Sequence, residues 1–271
     1  MEEKKDESRL DLLPNVTAQM RIALGNIHLA AAAIAPAGAR EQDPELDRRA
    51  AVLDQSYYQL LRLVSNLTAA GSLKADDPLP TRDRDLVALI REACERSVSL
   101  AAMLGIRLSF SCAEKAHVCA IHAASLEQLL FQLLSNALKF TPSGGSVTVE
   151  LKFSGGRVLL SVTDTGCGIS DERILTLFDR YDHKDLMDPP PHGLGLGLSL
   201  CKRIAEGHGG TIIAESRPGE GTRITCSLPD RRTGTFEVSD VSFDYCGGFN
   251  PTLLALSDAL PTRAFLIRNE D

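Results

Sequence analysis

Asn136, Lys139, Asp164 and the glycines at 193, 195 and 197 are the residues whose types and spacing fit phosphate and metal chemistry. Asn136 and Lys139 lie three apart in LEQLLFQLLSNALKFTP, residues 126–142, a segment with the period of a long helix, so they share one helical face. An amide oxygen is a hard, neutral ligand for Mg²⁺, whose remaining positions go to water and phosphate oxygens, and the ammonium beside it meets phosphate as a point charge. Asp164 opens DTGCGI, residues 164–169, directly after an alternating strand. Its ionised carboxylate only accepts hydrogen bonds, and Gly166 and Gly168 let the backbone turn tightly beside it. Gly193, Gly195 and Gly197, with Leu196 between the last two, open a helix in HGLGLGLSL, so backbone N–H groups and the positive helix end converge where phosphates can sit. No GK[ST] follows these glycines, which excludes a P-loop.

These constellations stand in a fixed order between residues 126 and 222, and together they resemble the ATP-binding domain shared by histidine kinases, gyrase, Hsp90 and MutL. The resemblance implies ATP and Mg²⁺ as cofactors, with Asn136 of the N box on the metal and the Asp164 carboxylate accepting from the adenine amino group. LFDRYD, residues 177–182, resembles the F box, with Phe178 as the apolar anchor under a lid formed by DHKDLMDPPPH. Arg180 is there either a γ-phosphate contact or an exposed arginine. GLGLGLSL resembles the second glycine box, and PGEGT, residues 218–222 ending in Thr222, the turn that follows it. One position departs from the pattern. Gln132 stands where histidine kinases usually carry a second Asn and the gyrase branch a Glu that activates water; a glutamine bonds but cannot act as a base, so gyrase-like hydrolysis is not expected.

The elements that must position these groups follow from periodicity. Val16, Met20, Leu24, Ile27, Ala31 and Ile34 form a helical stripe that ends at Pro36 and Gly38. A second stripe, Leu46, Ala50, Leu53, Tyr57, Leu60, Val64 and Leu67, alternates four and three, the heptad seam of a helix in a bundle. Two such helices make an antiparallel hairpin, and pairing two copies into a four-helix bundle buries a seam that one hairpin buries poorly. A homodimer is therefore expected; the alternative is a hairpin folded back on the second domain.

By the same resemblance the hairpin is the dimerisation and phosphoacceptor domain of a bacterial sensor histidine kinase, whose first helix carries a pattern like SHELRTPL. The matching stretch is TAQMRIAL, residues 17–24. Ala18 stands at the phosphoacceptor and Gln19 at its acidic partner, while Ile22 and Ala23 replace the Thr-Pro pair. Alanine has no nucleophilic atom, and glutamine cannot take a proton from an imidazole. Of the other histidines, His28 lies on the same helix without a following acid, and His122, His183 and His192 lack phosphoacceptor context.

Between hairpin and site, the charged, Pro-containing KADDPLPTRDRD, residues 74–85, reads as a linker or a domain edge. Beyond it the patterns give helices near 86–103 and 123–140, a strand at 106–112, a hairpin of VTVELKF and RVLLSVTD, and closing strands TIIAES and TRITCSL. The expected fold class is α+β: a helical hairpin over 8–73, then an α/β sandwich with helices on one face of a mixed sheet over 82–230. In a C-terminal extension over 231–271, Asn250-Pro251 starts a short helix expected to pack on the sheet, the alternative being a docking element.

Bulk properties narrow the function. The 271 residues carry a net charge of −7 and only 5% aromatics, which argues against a nucleic-acid surface. No apolar run is long enough to span a membrane, so a cytoplasmic protein is expected, with its seven scattered cysteines reduced. The function expected is an ATP-binding, sensor histidine kinase-like component of a two-component system, with a response regulator or a partner kinase as its protein partner. Autophosphorylation on the usual histidine is not expected. The alternatives are an autokinase using His28, a serine kinase of the anti-sigma-factor type, which would lack the hairpin, and an ATP-gated scaffold. No sensor segment precedes the hairpin, so input is expected from outside these residues or from another protein.

Overall fold

The computed structural model describes residues 13–72, 78–178, 196–235 and 250–267. The hairpin consists of α1 (Leu13–Ile34), a short α2 (Ala37–Gln42) inside the connection after Pro36, and α3 (Pro44–Ser72). Asp43 starts α3 by accepting the backbone N–H groups of Glu45 and Leu46 at 2.9 and 3.2 Å, with Pro44 at a position where its missing donor costs nothing.

The stripes are only partly buried. Leu24, Tyr57 and Val64 are enclosed, whereas Val16, Ile27, Leu53 and Leu60 are 51%, 53%, 44% and 47% exposed. The reason is the second neighbour of α3: Tyr58, Leu61 and Arg62 on its other side are buried where the helix lies against the rest of the chain.

Of the two readings of 74–85, residues 82–85 take the domain edge: β1 (Arg82–Asp85) pairs antiparallel with β3 (Val118–Ile121), a strand that the sequence patterns do not announce. The Asp83 carboxylate fixes this edge by accepting the backbone N–H groups of Thr233 and Gly234 at 2.7 and 2.9 Å. Asp85 then caps α4 (Leu86–Met103) through the N–H groups of Val87 and Ala88. His122 caps α5 (Ala123–Phe140), its ring nitrogen accepting from Ser125 N–H at 3.3 Å.

The main sheet has the order β2-β4-β5-β7-β6, with β2 (Arg107–Cys112) parallel to β4 (Ser146–Ser154) and the other pairs antiparallel. Gly155 and Gly156, at φ 58 and 71, form the two-residue turn that sends β4 back as β5 (Arg157–Asp164). Alternation puts Val149 and Leu151 opposite Val162 and Leu160, and these opposite Ile224 and Cys226 of β7 (Gly221–Pro229), all on one face. That face is covered by α4, α5 and α7 (Leu196–Gly207), whose Leu129, Leu133, Leu200 and Ile204 are buried. The opposite face is polar, with Ser161 bonded to Thr225 at 2.9 Å and Arg223 to Glu150 at 2.8 Å. This is the expected α+β arrangement, with β6 (Thr211–Arg217) at one edge and the four-residue α6 (Asp171–Ile174) near it.

The C-terminal segment departs from expectation. Asn250 accepts the N–H groups of Thr252 and Leu253 at 3.0 and 3.1 Å and starts α8 (Pro251–Leu256). This segment packs on helices α3, α4 and α5 and not on the sheet. Leu253, Leu256 and Phe265 are buried there and supply the apolar contact.

Candidate functional site

Asp164 ends β5 in register with Thr222 of β7, so the sheet delivers its carboxylate to one fixed point. The side chain is 9% exposed, and its Oδ1 accepts the backbone N–H groups of Gly166 and Thr222 at 2.8 and 3.3 Å. Burial raises its pKa above the usual carboxylate value, and those two donors oppose the rise. One oxygen is thereby anchored, and Oδ2 makes no hydrogen bond among the described residues. A Cβ at Gly166 would lie 2.5 Å from the Phe140 carbonyl oxygen and 2.7 Å from Asp164 Oδ1, so any side chain there would fill the space over the carboxylate. Gly168, at φ 70, lets the turn pass beside β6, where a Cβ would meet the Arg217 carbonyl oxygen at 2.0 Å.

The N-box helix α5 presents Gln132, Asn136 and Lys139 along one side. Asn136 is half-buried and its amide bonds to no other described side chain or backbone group. Gln132 is held: its Oε1 accepts from Arg62 Nη2 at 2.9 Å and its Nε2 donates to Asn66 Oδ1 at 2.6 Å, both residues of α3. The same Oε1 lies where a Cβ on Gly197 would come within 2.9 Å, so the glycine is needed for the start of α7 to approach the N box. Ser135, on the adjoining side of α5, accepts from Arg62 Nη1 at 2.8 Å. Lys139 is half-buried; desolvation lowers its pKa, Asp258 opposes that, and the charge of Arg62 adds to it. Leu196 is buried at the head of α7, Thr222 is buried beside Asp164, and Phe178 is half-buried against the core. Arg180, Gly193, Gly195 and the lid lie outside the described residues, as do His183 and His192.

On α1, Ala18 and Gln19 are exposed while their neighbour Thr17 is buried, so the helix turns the phosphoacceptor position outward. His28 faces into the hairpin: its ring stacks on Tyr57 with centroids 4.7 Å apart, and burial lowers its pKa against the opposing charge of Asp54.

The sequence patterns do not single out Arg62, Asn66 and Asp258. The signal available is a charged and an amide residue four apart on the buried side of α3. The described cysteines carry no disulfide, and burial pushes Cys94, Cys119 and Cys226 up to about 12, which makes them packing residues. No helix among the described residues is long and apolar enough to cross a membrane.

Comparison with known proteins places this geometry. Residues 121–232 match the family model described as histidine kinase-, DNA gyrase B- and HSP90-like ATPase. Sensor protein DivL of Caulobacter vibrioides is 35% identical over 173 residues, 64% of this chain and 22% of that protein. Sensor protein SrrB of Staphylococcus aureus is 28% identical over 230 residues, 84% of this chain and 39% of that one. The chain thus spans less than half the length of these relatives. Among solved structures, full-length ShkA in complex with AMPPNP superposes with a TM-score of 0.64 at 24% identity, over 82% of this chain and 46% of that one. The catalytic domain of histidine kinase ThkA gives 0.50 at 24% identity, over 56% of this chain and 97% of its own. At these identities the structural likeness is one of fold.

Proposed function

We propose, from the match of residues 121–232 to the histidine kinase-, DNA gyrase B- and HSP90-like ATPase family, a sensor histidine kinase-like core that binds Mg²⁺-ATP but does not phosphorylate the usual hairpin position. The observation that carries the reading is the Asp164 carboxylate, with Oδ1 fixed by two backbone donors and Oδ2 left to accept from an adenine amino group. The unbonded Asn136 amide suits a metal held with water and phosphate, the start of α7 suits the phosphates, and Lys139 adds positive charge. Bound Mg²⁺-ATP supplies a γ-phosphoryl group for transfer. The chain's own contribution is to orient it and to exclude water.

Transfer to the hairpin needs a nucleophile and a base on the exposed side of α1. Ala18 and Gln19 offer neither, so any phosphoryl flow involves a partner: a partner kinase, or a response regulator engaged through the hairpin. Residues 8–73 are proposed as the dimerisation hairpin, with the exposed Val16, Met20, Leu53 and Leu60 meeting a second copy, and residues 82–230 as the ATP-binding unit. A cytoplasmic location fits this function. Thermal melting with Mg²⁺-ATP tests the nucleotide site: at a hundredfold excess over the dissociation constant, stabilisation of about 2.7 kcal/mol is expected. Equal stabilisation of wild type and Asp164→Asn contradicts the adenine assignment.

A further inference from the structure

Arg62 is 5% exposed, yet it stands on the hairpin and reaches the N box of the neighbouring domain. Its Nη1 meets Ser135 Oγ at 2.8 Å and Asp258 Oδ2 at 3.2 Å, its Nη2 meets Gln132 Oε1 at 2.9 Å, and its Nε has no hydrogen-bond partner among the described residues. A guanidinium carries five donors in a fork built for a bidentate oxyanion, so one carboxylate contact at 3.2 Å and an idle N–H leave it under-satisfied for so buried a site. Lys139 lies in the field of both Arg62 and Asp258, so among the described residues two cations act on this one carboxylate. Gln132 stands between this cluster and the head of α7: its Oε1 bonds to Arg62 on one side and abuts Gly197 on the other. A single side chain therefore separates the Arg62 guanidinium from the helix start where phosphates are expected.

We propose that Arg62 is a phosphate-reading residue that the hairpin contributes to the nucleotide site, distinguishing a nucleoside triphosphate from a diphosphate, with Asp258 as its counter-ion when no triphosphate is present. The inference rests on the nucleotide-binding reading above. It gives the C-terminal segment a role beyond packing: Asp258 is an internal anion that a terminal phosphate displaces. It also links nucleotide state to hairpin docking, because the same guanidinium holds Gln132 and Ser135 of the N box to α3.

The test is isothermal titration of the full chain with Mg²⁺-ATP and Mg²⁺-ADP, comparing wild type, Arg62→Gln and Asp258→Asn. The readout is the ratio of the two affinities, which a purely structural role would leave alone because it would weaken both nucleotides alike. Loss of a charge-assisted contact to the terminal phosphate should weaken ATP about tenfold in Arg62→Gln with ADP little changed. In Asp258→Asn the competing anion is gone, and ATP should tighten relative to ADP. An Arg62→Gln ratio equal to wild type overturns the inference. If that variant does not fold, Asp258→Asn decides alone, an unchanged ratio again overturning it. Binding of neither nucleotide by wild type contradicts the function proposed above and takes this inference with it. Binding that Asp164→Asn abolishes, with a ratio indifferent to Arg62 and Asp258, overturns the inference only.

Discussion

Arg40 Nη1 donates to Asp54 Oδ2 at 2.8 Å, and this bond joins the hairpin connection to the middle of α3. The same guanidinium donates to Asp47 at 2.9 Å and to the Phe265 carbonyl oxygen at 2.9 Å, so one buried side chain ties the connection to α3 and to the C-terminal segment. Asp47 in turn accepts the Ile267 N–H at 3.3 Å. Phe265 is fully enclosed, with its ring centroid 5.4 Å from that of Tyr58.

Removing Arg40 leaves two buried carboxylates facing each other without a counter-charge. Breaking a buried ion pair by deleting one partner costs about 3–5 kcal/mol, so Arg40→Met should lower unfolding stability by roughly that amount. Urea denaturation measures it. A loss below about 1 kcal/mol would mean that the connection and the C-terminal segment do not depend on this cluster.

The nucleotide site should respond to pH through Asp164. Its folded pKa is raised by burial above the usual carboxylate value, so on acidification the folded chain takes up a proton before the unfolded chain does. Stability contributed by that proton is present at low pH and lost as pH rises through the folded pKa. Adenine recognition needs the ionised form, so ATP affinity should run the other way, full at neutral pH and falling as pH drops through the folded pKa. Titration of ATP at a series of pH values checks this. An affinity that does not fall on acidification contradicts the role given to the carboxylate.

The phosphate and adenine ends of this site are legible in the sequence because each sits within one element: Asn136 and Lys139 on one helix, Asp164 with its two glycines at one strand end. The Arg62 cluster is not, since Arg62 and Asp258 are neighbours only after the chain has folded back on itself. The fold shows the same division. The β4–β5 hairpin is announced by alternation and two glycines, whereas the charged Arg82–Asp85 becomes a strand only through β3 and the Asp83 contacts to Thr233 and Gly234. The C-terminal helix start was readable at Asn250, but not the surface that receives it, because Arg40 and the Phe265 carbonyl are 225 positions apart.

The exposed seam predicts association. Leu53 and Leu60 are 44% and 47% exposed on the single chain, and a second copy would cover them. Leu53→Asp together with Leu60→Asp would place unpaired charges in that bundle and should convert a dimer into monomers. Light scattering reads this directly. A wild type that is monomeric at micromolar concentration contradicts the four-helix bundle.

Incubation with γ-³²P-labelled ATP and Mg²⁺, followed by mapping of acid-labile phosphate, tests the central claim most directly. Wild type should bind the nucleotide and acquire no acid-labile label, because Ala18 offers no nucleophile. Ala18→His should gain little. Ala18→His with Gln19→Glu should gain more, since a carboxylate beside the imidazole accepts its proton, an effect of roughly 10²–10⁴ in rate. Acid-labile label on wild type that disappears in His28→Ala would contradict the account and make the chain an autokinase acting through the histidine stacked on Tyr57.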